Sequence, residues 1–531
     1  MQKPEFDWSH TYASSREGVL AHNVVATSQP LAAQAGLRMM QQGGNAIDAA
    51  IATAITLTVV EPTSNGIGSD NFALIWAGGG LHGMNSSGRS PRAMTPDKYK
   101  DKDSISMRGW DGVTTPGCVW GWVTAHKQFG VLPFEKLFEP AIEYARHGFL
   151  VTPIVAYYWG LGKRSYRNFE SWQQTFAPDG NTPQKGQLFR SEAHARTLEE
   201  IAESKGESFY RGALAEKIDA HAKATGGLLT ADDLALHDTD WVRPIEMDYK
   251  GYTLHEIPPN GQGLAALLMV GILRNLPVAE NDVDSAQSIH FQLEAMKLAF
   301  ADAHRYIADP AWMDVRVEDL LDPGYLESRA NLVDPDRAQD FNHGQPKEGG
   351  TVLLTTADAE GNMVSWIQSN YGGFGSGIVI PDTGIALQNR GCCFTLEEGH
   401  PNQIGGAKRP YHTIIPAFVT KDGKPLMAYG VMGGLMQPQG HAQVLVRIAD
   451  YGQNPQSAID GPRWRVSNGL NVALEPEFDA SVAEELRDKG HNVNVEGFPG
   501  STYGRGQAIY KLEDGYFGGS DGRCDGQAVG Y

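Results

Sequence analysis

The sequence predicts an α+β protein built as a four-layer αββα sandwich, with helices outside and two strand-rich sheets within. Three observations lead there. The chain opens with two helical stretches, a loop and a hairpin; residues 117–330 are mostly helical in their spacing; from Thr351 onward, short strand-like runs alternate with Gly- and Asp-bearing turns. With 531 residues there is ample chain to bury a large core. The net charge of −19 argues against non-specific binding to nucleic acid or anionic membranes, both of which want basic patches. No run approaches the ~18 apolar residues of a membrane helix. The opening Met1–Trp8 lacks the apolar core of a secretory signal, so a cytoplasmic protein is expected. Cys118, Cys392, Cys393 and Cys524 fit neither a disulfide framework nor a zinc spacing, so reduced thiols and no metal are expected.

Residues 1–21 are polar and read as peripheral, and Val24–Thr27 reads as a short strand. Ser28 then caps a helix running to about Gln42, where Gly43-Gly44 ends it. Asn45 caps a second helix, Ala46 to Val60, so rich in Ala and Ile that burial on most sides is expected. The loop Glu61–Asp70 leads to strands over Phe72–Trp76 and Leu81–Asn85, with Gly78-Gly79-Gly80 as their turn. Helical spacing marks Val119–Phe129, Phe134–Arg146, Ala193–Ser204 and Leu214–Ala224. The clearest stripe, Ile289, Leu293, Met296, Phe300, Ala303 and Ile307, follows the cap signal Asp284-Ser285 and predicts a core-facing helix. Tyr249–Glu256 reads as one strand among these helices. Past a polar linker from about Asp334, Thr351–Ala357 and Met363–Ser369 form a hairpin about Asp358–Asn362. Further strands are predicted up to Pro381 and over Ile385–Asn389, Ile414–Thr420, Met427–Val431 and Gln507–Leu512, with helices over Gln443–Asp450 and Ser481–Lys489.

Walker A, His-Glu-x-x-His and EF-hand signatures are absent from the sequence. Gly518–Gly522 spells a nucleophile elbow, but only nine residues follow it, too few for the helix that motif needs, so it reads as a terminal loop. The chemistry centres on Gly349-Gly350-Thr351. Two glycines permit backbone conformations that a Cβ resists. A Thr between linker and apolar strand can attack the preceding carbonyl, break the chain and become a new amino terminus. Its α-amine, with pKa about 8, can then serve as base for its own hydroxyl. A plain turn into a strand would use the same letters, so this stretch does not decide alone. Gly433-Gly434, between a strand and a helix-like stretch, offers either two N–H groups to a developing oxyanion or an ordinary helix-entry turn. Arg89 follows a strand and can hold a carboxylate through a bidentate fork or simply face solvent; Arg390 ends a strand and reads as a surface cation unless the fold brings it to Thr351. Lys408–Thr413, with His412 and Thr413, is a second polar cluster before a strand.

Together these segments resemble the gamma-glutamyltranspeptidase family of N-terminal-nucleophile hydrolases. The resemblance spans nearly the whole chain. It rests on Gln42–Ala50, Val60-Glu61-Pro62, Gly66-Ile67-Gly68, Gly226–Leu234, Ala295–Asp309, Gly375-Ser376-Gly377, Lys408-Arg409-Pro410, Gly433-Gly434 and Ala528–Tyr531. It implies a proenzyme that cuts itself between Gly350 and Thr351. The large subunit, 1–350, and the small subunit, 351–531, would stay together around one shared core, with any higher assembly of the pair left open. It implies Thr351 as nucleophile, Ser369 as its hydroxyl partner, Gly433 and Gly434 as oxyanion donors, and no metal or organic cofactor.

The substrate positions depart from the family's pattern. Cys393 stands where the family has the Asp that holds a glutamyl α-amino group, and Arg390 where it has a nearby Gln. His412-Thr413 replaces a Ser pair, and Tyr371 an Asn; the family's carboxylate-binding Arg has no counterpart in register, Arg89 lying two residues later. A buried ammonium needs an anionic or acceptor partner, so losing the Asp and gaining Arg390 disfavours γ-glutamyl substrates. Arg89, Tyr371, Arg390, His412 and Thr413 are therefore expected to bind a small carboxylate-bearing amide. Oxamate, split to oxalate and ammonia as in purine breakdown, is the expected substrate; γ-glutamyl hydrolysis or transfer and acylase chemistry are the alternatives.

Overall fold

The structure, a computed structural model, describes residues 16–341, 350–497 and 503–531; the predicted peripheral start at 1–15 and the Pro346–Gly349 part of the processing stretch lie outside them. Two antiparallel seven-stranded sheets form the middle of the molecule. The first runs Val19–Ala21, Gly515–Ser520, Arg505–Leu512, Lys424–Met432, Ala417–Lys421, Tyr252–Glu256, Ile245–Tyr249. The second runs Gln527–Gly530, Val24–Thr27, Gly350–Ala357, Met363–Tyr371, Asp70–Ala77, Gly80–Ser86, Asp240–Val242.

The alternation of side chains along the strands makes the layers. Leu353 faces the other sheet, in a core with Phe72, Leu74, Phe418, Ala428 and Ile509. Its neighbours Val352 and Leu354 face the opposite way, into a core built on the helices Pro30–Gln41 and Ala46–Val60. On the far side, Leu254, Val419 and Val431 pack beneath Gly263–Leu273, Ala286–Tyr306 and Met436–Ala449. The predicted αββα order is thus the observed one. Each large apolar side chain withdrawn from water in these layers stabilises by about 1.5–3 kcal/mol. No helix among the described residues is long and apolar enough to cross a membrane.

The Asn45 cap holds as expected: its Oδ1 accepts from Ile47 and Asp48, Asp48 returns the bond to Asn45 N–H, and all of Ala46–Val60 is buried. The first helix differs. Its cap is Gln29, whose Oε1 accepts from Leu31 N at 2.7 Å, while Ser28 donates to Glu61 Oε2 at 2.6 Å. The predicted Tyr249–Glu256 strand is two, Ile245–Tyr249 and Tyr252–Glu256, turned at Lys250 and Gly251 with φ of 51° and 83°. Ile385–Asn389 makes only isolated bridges, Val379 with Ala386 and Leu387 with Gly68, and Arg390–Cys393 is a 3-10 turn. Of the predicted terminal loop Gly518–Gly522, the first three residues instead end the strand Gly515–Ser520; its glycines hid it, yet they permit the packing, since a Cβ on Gly518 would lie 2.6 Å from Val24 Cγ1.

Candidate active site

Thr351 lies at an irregularity of its strand. Gly350 pairs with Tyr371 and Val352 with Gln368, so Thr351 stands opposite two residues, Ser369 and Asn370. Such a bulge re-aims the side chains beside it. Tyr371 closes it with φ 74°, a left-handed conformation uncommon for a residue with a Cβ. As a result Thr351 Oγ1 donates to Ser369 Oγ at 3.2 Å, and both residues are buried. Ser369 Oγ also accepts from Tyr371 N at 2.8 Å and from Arg390 NH2 at 3.3 Å.

Arg390 is fully buried. NH1 donates to Thr413 Oγ1 at 2.6 Å, and the guanidinium carbon lies 4.5 Å from the centre of the Tyr371 ring. Its Nε makes no hydrogen bond among the described residues, and no carboxylate there lies within ion-pair distance of the guanidinium. The predicted group Thr351, Ser369, Tyr371, Arg390 and Thr413 is therefore one connected cluster.

His412 stands behind it. Its Nε2 donates to Asp70 Oδ2 at 3.1 Å, Ile414 N approaches its Nδ1 at 3.4 Å, and the ring is edge-on to Phe72. Burial, reinforced by the charges of Arg390 and Arg409, holds the imidazole well below its ordinary pKa, so it is neutral and its nitrogens are engaged. Asp70 sits across from Ser369 in the sheet and also accepts from Gly88 N and Gly117 N, each at 3.1 Å. Burial pushes its carboxyl up to about 7, against the pull of the Arg390 charge and these two N–H groups. No local pattern marks Asp70; only the strand register brings it here.

Gly433 and Gly434 form the turn between Lys424–Met432 and Met436–Ala449, with φ of 136° and 60°. Among the described residues nothing accepts their N–H groups, whereas the carbonyl of Gly434 accepts from Gln262 Nε2 at 2.9 Å. The helix begins seven residues before the predicted Gln443, because Gln437, Gln439 and His441 in its first two turns break the apolar stripe. One of these, Gln437, accepts from Ile415 N at 2.9 Å and points Nε2 at Thr351 Oγ1 at 3.5 Å. The positive end of the helix is therefore beside the Thr351 hydroxyl.

Arg89 is placed elsewhere. It is half-exposed, donates to Asp309 Oδ2 at 2.8 Å and to the Ala407 carbonyl at 3.3 Å, and lines an outer groove with Arg92, Asp233 and Arg409. One group, His290, Glu294 and His491, has potential metal-ligand atoms within 4.8 Å of one another. Lys297 Nζ already lies 2.6 Å from Glu294 Oε1 and 3.3 Å from His491 Nδ1, so an ammonium fills the place of a cation.

A family model described as gamma-glutamyltranspeptidase matches residues 32–531. A glutathione hydrolase-like YwrD proenzyme of Bacillus subtilis (strain 168) is 38% identical, across 96% of this chain and 98% of that protein. An oxamate amidohydrolase proenzyme of Klebsiella pneumoniae is 35% identical, across 97% and 99%. The crystal structure of a cephalosporin acylase from Bacillus halodurans aligns at a TM-score of 0.95 and 47% identity, across 100% of this chain and 99% of that one. A sandwich with Thr351 at its bulge, sharing most of its length with such proteins, places the chain in the gamma-glutamyltranspeptidase family of amide-bond hydrolases.

Proposed function

We propose that the chain is a proenzyme that cuts itself between Gly350 and Thr351 and then acts as a threonine-nucleophile amidohydrolase on a small carboxylate-bearing amide, oxamate first. In maturation, Thr351 Oγ1 adds to the Gly350 carbonyl, the Thr351 nitrogen leaves carrying the hydroxyl proton, and water splits the resulting ester. The products are fragments 1–350 and 351–531, held as a pair. In turnover the freed α-amine takes the hydroxyl proton as Oγ1 attacks the amide. Gly433 and Gly434 N–H groups, at the positive helix end, receive the oxyanion. Ammonia departs with that proton; water, activated by the same amine, releases oxalate and restores Thr351.

Thr351, Ser369, Gly433 and Gly434 carry the catalysis in this reading, and Arg390, Tyr371 and Thr413 bind the substrate. His412 acts through Asp70, and Arg89, tied to Asp309, is left to the outer groove. We take the reaction to be cytoplasmic, in line with four free cysteines. The observation that carries the reading is Arg390: buried, bonded to the hydroxyl that Thr351 touches, and lacking a carboxylate partner among the described residues. An unpaired buried charge costs several kcal/mol, and a substrate carboxylate would offset it. The oxamate amidohydrolase relative supports the same chemistry.

γ-Glutamyl amides are the second reading, favoured by the glutathione hydrolase-like relative. Their α-ammonium would have to lie near Arg390. Ammonia release from oxamate, measured beside turnover of a γ-glutamyl anilide on processed protein, decides. Efficient use of the anilide with none of oxamate rejects the first reading.

A further inference from the structure

We propose that Cys393 is a specificity-determining residue of this site: its thiol contests the Arg390 guanidinium with the substrate's carboxylate, so anionic amides bind well only while that thiol keeps its proton. The inference rests on the reading of Arg390 above. The two adjacent cysteines differ in what they touch. Cys392 is buried, its Sγ donating to the Asn389 carbonyl at 2.8 Å and lying 3.1 Å from Met107 Sδ. Cys393 is partly exposed, and its Sγ lies 4.0 Å from Arg390 NH1. Of the four free cysteines it alone is not buried.

The titratable groups around it come from three segments. Arg390 and Cys392 share its turn, Tyr371 ends the Met363–Tyr371 strand, and Tyr411 precedes the Ala417–Lys421 strand. Asp70 faces Arg390 from the neighbouring strand. Burial pushes both phenols up, so Tyr371 and Tyr411 stay neutral. Burial also opposes a Cys393 thiolate, but the neighbouring Cys392 thiol, the Arg390 charge and the Tyr371 phenol outweigh it and bring the thiol down to about 7.

The ionised sulfur sets a negative charge closer to Arg390 than any carboxylate among the described residues, but it cannot offer the two-point fork that a carboxylate gives a guanidinium. A protonated Cys393 therefore leaves the fork to the substrate, and a deprotonated one closes it with an internal ion pair. If the two anions exclude each other, KM climbs above the thiol's pKa with a slope that approaches about tenfold per pH unit. The kcat is untouched by this competition, because the sulfur does not engage Thr351.

The test uses processed protein and two readouts. Alkylation of Cys393 by iodoacetamide, mapped by mass spectrometry, is followed against pH with and without oxalate as the probe anion. KM for the amide is followed against pH in wild type and in Cys393→Ser. The expected alkylation midpoint is near pH 7 and moves up when oxalate is present. The expected KM rises by about fivefold over the first pH unit above that midpoint in wild type, and stays flat in Cys393→Ser. A midpoint at the ordinary thiol value, unmoved by oxalate, overturns the proposal. So does a KM rise that Cys393→Ser retains, which would assign the titration to Asp70. If oxalate moves the midpoint while oxamate is not turned over, the substrate reading fails and this inference stands.

Discussion

Single residues bear the chemistry, and three changes probe them. Thr351→Ala should run on a denaturing gel as one uncut chain of 57.7 kDa and release no ammonia from oxamate. Arg390→Ala should lower kcat/KM for oxamate by about ten- to hundredfold, the worth of a hydrogen bond to a charged group. Arg390→Lys should recover only part of that, because the ammonium lacks the fork. His194 makes a cleaner case for proton linkage. It is buried, and desolvation alone holds its imidazole down to about 4. Below its ordinary value near 6.5 the unfolded chain gains a proton that the folded one refuses, so stability falls with pH until about 4. His194→Leu removes that slope. Its stability relative to wild type should improve by about 1.4 kcal/mol per pH unit on acidification through this window, read from urea midpoints. Thr351 and the glycine pair stood out in the sequence as local patterns that did not decide alone, and Ser369 was placed only by the family resemblance. Asp70 and Gln437 were not legible: one is brought in by strand register, the other by a helix whose start was masked by its own polar residues.

Elements decide how accurately those residues are held. The strand carrying Thr351 takes its aim from the irregularity opposite Ser369 and Asn370, a feature that strand alternation cannot foretell. The Gly433-Gly434 turn takes φ values of 136° and 60°, which glycine adopts far more readily than a residue with a Cβ. Gly433→Ala forces a Cβ into a conformation that L-residues rarely adopt, so a loss of at least about 1 kcal/mol in stability is expected. If its N–H serves the oxyanion, kcat should also fall by about 10²–10³ with KM little changed. Steady-state kinetics at a temperature well below the variant's own melting point separate the two effects. Helix Ala46–Val60 was legible because a side-chain cap and an Ala- and Ile-rich body agree. Helix Met436–Ala449 was read short because Gln437, Gln439 and His441 interrupt the apolar period at the end that faces the site.

The whole molecule shows how thoroughly its two halves interleave. In the second sheet Val24–Thr27 is flanked by Gln527–Gly530 and Gly350–Ala357, so a strand from the first half closes a ladder belonging to the second. Segments 1–350 and 351–531, expressed apart, should therefore each remain unfolded or insoluble, while the processed pair should melt in one transition by circular dichroism and calorimetry alike. Two resolved melting steps would contradict the shared core. Such weaving also gives the molecule a direction in time. A nicked pair that opens has lost the tether that first brought its strands into order, and two loose polypeptides must then find each other at cellular dilution. The working life of a cut pair would thus be set by how slowly it comes apart, a rate rather than an equilibrium, and each copy would have a single opportunity to assemble.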